Sequence, residues 1–319
     1  MTVAIRALIA GQAARRTSYA SGGIEPVAVW DFSVGHFSHG FTLSRPSEAV
    51  GYDGAGRFVG AAPDELRYDR RGLLPAALFE GAASNLLSHS AAAISNGWVG
   101  AGATAVDLSG NALGQFHGCA IQAVDAAWNR LQHAATPALV SGVPYRVTLW
   151  FAFGTVASGL VVLRNDATGD ETQVYLTPGV ANSGIQNAGA ITDLSMVEVG
   201  VDQAIHLSFT FVPNFDGGVS FGFGPGSDVA GAEVVLFAAQ MEAGTAASSY
   251  IHSGGSPALR AADQVDWQAP TGIYDLRLMD GAGVQVDQLA VTVGPDWQPA
   301  PHPLSVSRVL LYPSGTLPL

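Results

Sequence analysis

Residues 145–153 read YRVTLWFAF, and the periodicity of this stretch decides the fold. Successive side chains of a β-strand point to opposite faces. Tyr145, Val147, Leu149, Phe151 and Phe153 therefore share one side, and Arg146, Thr148, Trp150 and Ala152 share the other. The first set is a core face. On the second face two readings of Trp150 stand side by side. Either a further layer covers it, formed by the N-terminal segment, the Ala-rich segment or a neighbouring subunit, or the indole is a platform on which a ligand ring stacks.

Downstream, SGLVVLRN (158–165), TQVYLTPG (172–179), SMVEVGV (195–201), HLSFTF (206–211), VSFGFG (219–224) and AEVVLFAAQME (232–242) follow at sandwich spacing. Leu207, Phe209 and Phe211 alternate inward, as do Val219, Phe221 and Phe223. Val174 and Leu176 do the same and leave Gln173 and Tyr175 outward. Seven short strands with an aromatic inner face predict an all-β chain built on an antiparallel jelly-roll β-sandwich.

Composition agrees with that class. The chain has 319 residues, 39 glycines, 17 prolines and only 13% charged residues, with a mean hydropathy of +0.26. Disorder requires the opposite balance of hydropathy and charge. All 14 basic residues are arginine and the formal net charge is -12, which repels a polyanion at long range and sets nucleic acid aside as a partner. A neutral sugar surface is compatible with this charge, and an acidic one would need a local Arg cluster. The single cysteine, Cys119 in GCAIQ, excludes an intramolecular disulfide or a Cys-rich metal centre and reads as a small buried residue. The opening MTVAIRALIAGQAARR has a short apolar run broken by Arg6 with the double Arg after it, unlike a secretory signal, whose positive charge comes first, and no stretch is long and apolar enough for bilayer insertion.

Outward from the strands, three regions are expected. Residues 1–35 form an arm that contacts a partner or an adjacent domain, residues 36–263 the sandwich, and residues 264–319 a small C-terminal β domain. DGAG at 53–56 is a hairpin turn. The Ala-rich stretch 111–136 is open between strand and helix, the helical reading placing Val124, Trp128 and Leu131 on one stripe. A C-terminal part of this size buries little surface alone and gains stability by docking, which favours a homo-oligomer.

Three strings carry a resemblance: RGLLPAALFEGAASNLLSHS at 71–90, YLTPGV at 175–180, and AAQMEAGTAASSYIHSGGSPALRAAD at 238–263. Together, and in this order around the YRVTLW strand, they resemble jelly-roll modules of tail fibres, head spikes and related appendages of phages and phage-like gene transfer agents. Phe79, Glu80 and Gly81 stand where that family commonly has an acid followed by proline, and Met241 where leucine is usual. The resemblance spans residues 40–263 and implies a carbohydrate-binding-like module without catalytic motif. The implied function is a non-enzymatic virion appendage, extracellular after release. Its implied partners are host surface polysaccharide and other virion proteins, and no cofactor is expected. The alternative is a purely structural connector of such a particle.

If the strands pair as read, Arg146, Trp150, Gln173, Tyr175 and His206 share one sheet face. There an aromatic ring meets the CH side of a pyranose and Arg, Gln or His bond its hydroxyls. Such a site is shallow, and repetition in an oligomer multiplies its affinity. Trp98 and Trp128 are alternative platforms. Asn165, Asp166, Asp170 and Glu171 in NDATGDE, with Asn214 and Asp216, offer oxygen ligands to calcium without the EF-hand pattern, and solvated hairpin tips are the plainer reading, so no metal is assigned. Asp263 reads as an ion-pair partner of Arg260 or a loop anchor, and Glu80 and Asn85 lie in the family-like blocks.

Overall fold

The computed structural model describes residues 19–108, 118–124, 129–199, 204–299 and 305–317. Contacts divide the chain into two units. The larger comprises residues 55–59 and 82–260, and the smaller 1–54, 60–81 and 261–319.

The larger unit is an antiparallel sandwich. One sheet has six strands in the order Ala103–Leu108, Gly118–Ala123, Glu233–Ala243, Tyr145–Phe153, Ile205–Pro213 and Gly189–Glu198. The other runs Val180–Gln186, Glu171–Thr177, Gly159–Asn165, Gly217–Pro225, Arg130–His133 and Trp98–Ala101, with Ala138–Leu139 beside Gly217–Pro225. The chain changes sheet after Phe153 and again after Gln186, which is the jelly-roll manner of burying the inner faces of both sheets.

The inner residues are those the alternation assigns. Val147, Leu149, Phe151, Leu207, Phe209, Phe211, Val219, Phe221 and Phe223 are fully buried in one cluster with Val174 and Leu176. Burying each such side chain contributes roughly 1.5–3 kcal/mol before the entropy cost of ordering the chain is set against it. The hairpin between Gly159–Asn165 and Glu171–Thr177 is closed by Asn165, whose Oδ1 accepts the Ala167 N–H at 2.9 Å, and by Gly169 at φ +80°. Cys119 is fully buried, and burial pushes its thiol up to about 11. In the Ala-rich stretch the described residues form strands, Gly118–Ala123 and Arg130–His133, with Leu131 in the core. The helical stripe is not formed at Leu131, which stands in a strand opposite Phe223 with its side chain in the sandwich core. Trp128 lies outside the described residues.

The smaller unit centres on a sheet ordered His36–Phe37, Ala28–Asp31, Arg308–Pro313, Gly272–Met279 and Gln285–Val293. Beside it Ser305–Val306, Ala76–Leu78, Tyr68–Asp69 and Ala49–Tyr52 pair in that order, and Gln264–Trp267 pairs with Phe41–Ser44. Trp30, Phe32, Phe79, Trp267, Leu276, Leu278, Val309 and Leu311 form its core.

This division differs from the expected boundaries at 35 and 263. Residues 28–31 are not part of a free arm but pair with Arg308–Pro313, Trp30 opposite Val309. Residues 36–54 and 60–81 also belong with the C-terminal strands rather than with the sandwich. The physical reason is area: the C-terminal strands alone have no second layer, and the early segments supply it.

Candidate functional site

The expected single face separates into two. Arg146 and Trp150 lie on Tyr145–Phe153 and His206 on Ile205–Pro213, adjacent strands of the six-stranded sheet, with Trp150 opposite His206. Gln173 and Tyr175 lie on Glu171–Thr177 in the seven-stranded sheet. Outward residues of the two sheets face away from each other across the core, so these five side chains cannot form one patch.

On the six-stranded face Trp150 is covered, at 1% exposure. Its ring meets Phe58 edge-on at 5.3 Å and Tyr250 at 5.4 Å, and Phe58 stacks flat on Tyr250 at 4.5 Å. Arg146 donates to Ser208 Oγ at 2.6 Å and Thr210 Oγ1 at 3.3 Å, and burial holds its guanidinium below the ordinary range. Glu242 accepts from Gln240 Nε2 at 2.7 Å and Ser248 Oγ at 2.6 Å, and burial raises its carboxyl pKa. The segment after residue 247 thus packs along Glu233–Ala243, with Ile251 N–H bonded to Gln240 Oε1 at 2.9 Å. This face is covered by a packed layer of aromatic and hydrogen-bonded polar side chains, not an open stacking platform. Trp98 is also buried, its Nε1–H donating to His89 O at 3.1 Å.

The seven-stranded face presents a cavity of about 280 Å³ lined by Asn129, Arg130, Leu160, Val162, Tyr175 and Asp228, together with residues 224–227 at and just beyond the end of Gly217–Pro225. Register explains the grouping. Leu160 pairs with Tyr175 on one side and Gly224 on the other, and Val162 with Gln173 and Gly222. Gly222 and Gly224 alternate with the inward Phe221 and Phe223, so the outer face of that strand has no side chains there. Asn129 and Arg130 lie down over this floor: a Cβ on Gly224 would come within 1.9 Å of Asn129 O, and one on Gly222 within 2.6 Å of Arg130 Cδ. Burial lowers the Arg130 pKa, with Glu171 opposing the shift. Tyr175 stands at the rim, 45% exposed, and donates to Gln173 Oε1 at 2.6 Å.

An apolar floor, an open aromatic ring, and amide, guanidinium and carboxylate groups at the margin can hold a small polyhydroxylated ring. Of the expected residues only Tyr175 lines the cleft, with Gln173 on the same sheet accepting its hydroxyl. Asn129, Arg130, Leu160, Val162 and Asp228 were missed, although the outward glycines of VSFGFG signal close approach of another element.

The family-like blocks hold charge rather than chemistry. Glu80 and Asp263 lie in the smaller unit, where Arg67 bonds both carboxylates and Arg45 bonds Asp263 at 2.9 Å. The ion pair expected for Asp263 thus forms with Arg45 and Arg67. Arg260, in the larger unit, donates to Ser249 Oγ at 2.8 Å, and Asn85 bonds Ile251 O, Leu87 N and Met241 N. In the 165–171 loop, Asn165 and Asp170 oxygens accept from Ala167 N and Thr168 Oγ1, and Asp166 accepts from Ser220 Oγ. Asp216 accepts from Ser141 N. Among the described residues no group of three or more His, Cys, Asp or Glu side chains is arranged to hold a metal.

No protein-family model and no curated protein sequence matches the chain. Solved structures do. The CBM22-1 xylan-binding domain from Paenibacillus barcinonensis Xyn10C is 16% identical over 53% of this chain and 99% of that one, with a TM-score of 0.35. The CBM22-1 and GH10 modules of Clostridium thermocellum xylanase 10B, complexed with xylohexaose, are 10% identical over 54% of this chain and 30% of that one, with a TM-score of 0.33.

Proposed function

We propose that the protein is a non-enzymatic appendage, fibre or spike, of a phage or gene transfer agent particle, and that it binds host surface polysaccharide through the cleft beside Tyr175. The observation that carries the binding half is the cleft itself, where an exposed tyrosine ring adjoins an apolar floor and a polar margin. The particle context rests on the resemblance of three sequence blocks, at 71–90, 175–180 and 238–263, to phage appendage modules. A hydrolytic role is disfavoured because Glu80 and Asp263 are committed to Arg45 and Arg67.

The test is affinity electrophoresis and calorimetry with purified surface polysaccharides. Tyr175→Ala is expected to weaken binding about fivefold or more, since an aromatic contact of this kind contributes ~1 kcal/mol beyond its area, while Trp150 variants that stay folded bind as the parent does. Equal binding by the parent and Tyr175→Ala would remove the site from this cleft.

A second reading, the structural connector, is favoured by one feature of the smaller unit. Gln285–Val293 is an edge strand with Val286 and Leu289 exposed, and Val284 exposed just before it. Absence of any glycan binding together with capture of the chain into assembled particles would select it.

A further inference from the structure

We infer that the cleft selects an uncharged pyranoside, recognised at the Tyr175 end by a ligand hydroxyl that donates to Tyr175 Oη. This inference rests on the saccharide reading and specifies the ligand class.

Glu171, Gln173 and Tyr175 occupy alternate positions of one strand and form a chain of hydrogen bonds. Tyr175 Oη lies 2.6 Å from Gln173 Oε1, and Gln173 Nε2 lies 2.9 Å from Glu171 Oε2. The amide has one orientation that avoids an acceptor facing an acceptor: its NH2 must meet the carboxylate, which leaves its oxygen toward the tyrosine. Tyr175 is then bound to donate inward. What it offers a ligand is lone pairs alone, which accept from a hydroxyl and repel a carboxylate, sulfate or phosphate oxygen. The ring lies against Gly184, where a Cβ would come within 2.1 Å of Cε2 and 2.7 Å of Cδ2, so the absence of a side chain there lets it keep this position. Charge around the cleft is balanced: Arg130 and Asp228 line it, and Arg164 neighbours Glu171 at 3.9 Å. Among the described residues no excess of cation lines the cleft to compensate an acidic sugar.

The experiment uses the full chain and matched probes, methyl β-glucopyranoside against methyl β-glucuronide and the galactose pair, followed by ligand-observed NMR titration. The neutral glycosides are expected to bind at least roughly fivefold more tightly, the share of one hydrogen bond. Glu171→Gln lets the chain reverse, with Gln173 donating to Tyr175 and Tyr175 donating outward, so the neutral-to-acid ratio should fall severalfold with the melting temperature held. Tyr175→Phe should bring the ratio toward one while keeping the stack. Uronides binding as tightly as the neutral sugars to the parent, or a ratio unmoved by Glu171→Gln, overturns the selection and leaves the saccharide reading intact. If no glycoside of either kind binds, the saccharide reading falls and takes the inference with it.

Discussion

Trp150 shows how far a single residue can be read from its neighbours. Alternation correctly turns it away from the aromatic core, yet its cover comes from Phe58 and Tyr250, about ninety to a hundred positions away in either direction. No local pattern encodes such contacts. Among the described residues its buried indole Nε1 finds no hydrogen-bond partner, which costs stability. Trp150→Phe should therefore be much milder than Trp150→Ala, which opens a cavity and is expected to cost about 3–5 kcal/mol in denaturant unfolding. Equal costs would overturn this ordering. Tyr175 is the opposite case, legible because its outward position follows from Val174 and Leu176 facing in. Glu242 adds a pH signature. Its folded pKa is raised by burial above the ordinary 4.5, so its charged form weakens the fold, and this stability is fullest below 4.5 and declines as pH rises through the folded value. Glu242→Gln should flatten that limb in thermal melts taken across pH 4–8.

At the level of elements, strands with alternating large residues were visible and those without them were not. VANSGIQ at Val180–Gln186 forms an edge strand with its residues largely exposed, so it carries no inward hydrophobic series to announce it. The break in pairing between Tyr274 and Leu276 was equally hidden, because a side chain organises it. Buried Asp275 accepts Ala290 N at 3.1 Å, where Ala290 takes φ +53°, and also Thr316 N at 2.9 Å and Leu317 N at 3.1 Å. Burial pushes its carboxyl up, but these backbone donors outweigh that and hold it below the ordinary 3.8. The stability it supplies is complete above about pH 4 and is lost as pH falls through the depressed folded value. Asp275→Asn should cost about 2–3 kcal/mol at neutral pH, since an amide returns a donor toward those N–H groups. Its unfolding midpoint should change less than the parent's between pH 4 and pH 2, and a parallel decline would rule out the carboxylate as the holder of this turn.

At the scale of the molecule, the sandwich was legible because its strands lie close together in sequence, whereas the smaller unit was not because its layers are drawn from both ends of the chain. A fragment 264–319, the domain expected from the sequence, lacks the Ala28–Asp31 strand that completes its sheet. It should give a coil-like circular dichroism spectrum and a poorly dispersed NMR spectrum, and a cooperative melt from it alone would refute the shared sheet. The pairing of Ala28–Asp31 with Arg308–Pro313 also sets an order of events at the ribosome. At ~5–20 residues per second, the apolar Ala-Val-Trp-Asp strand emerges on the order of tens of seconds before its partner exists. The intervening sandwich can mature meanwhile, while the early strand waits with an unpaired edge for its C-terminal neighbour.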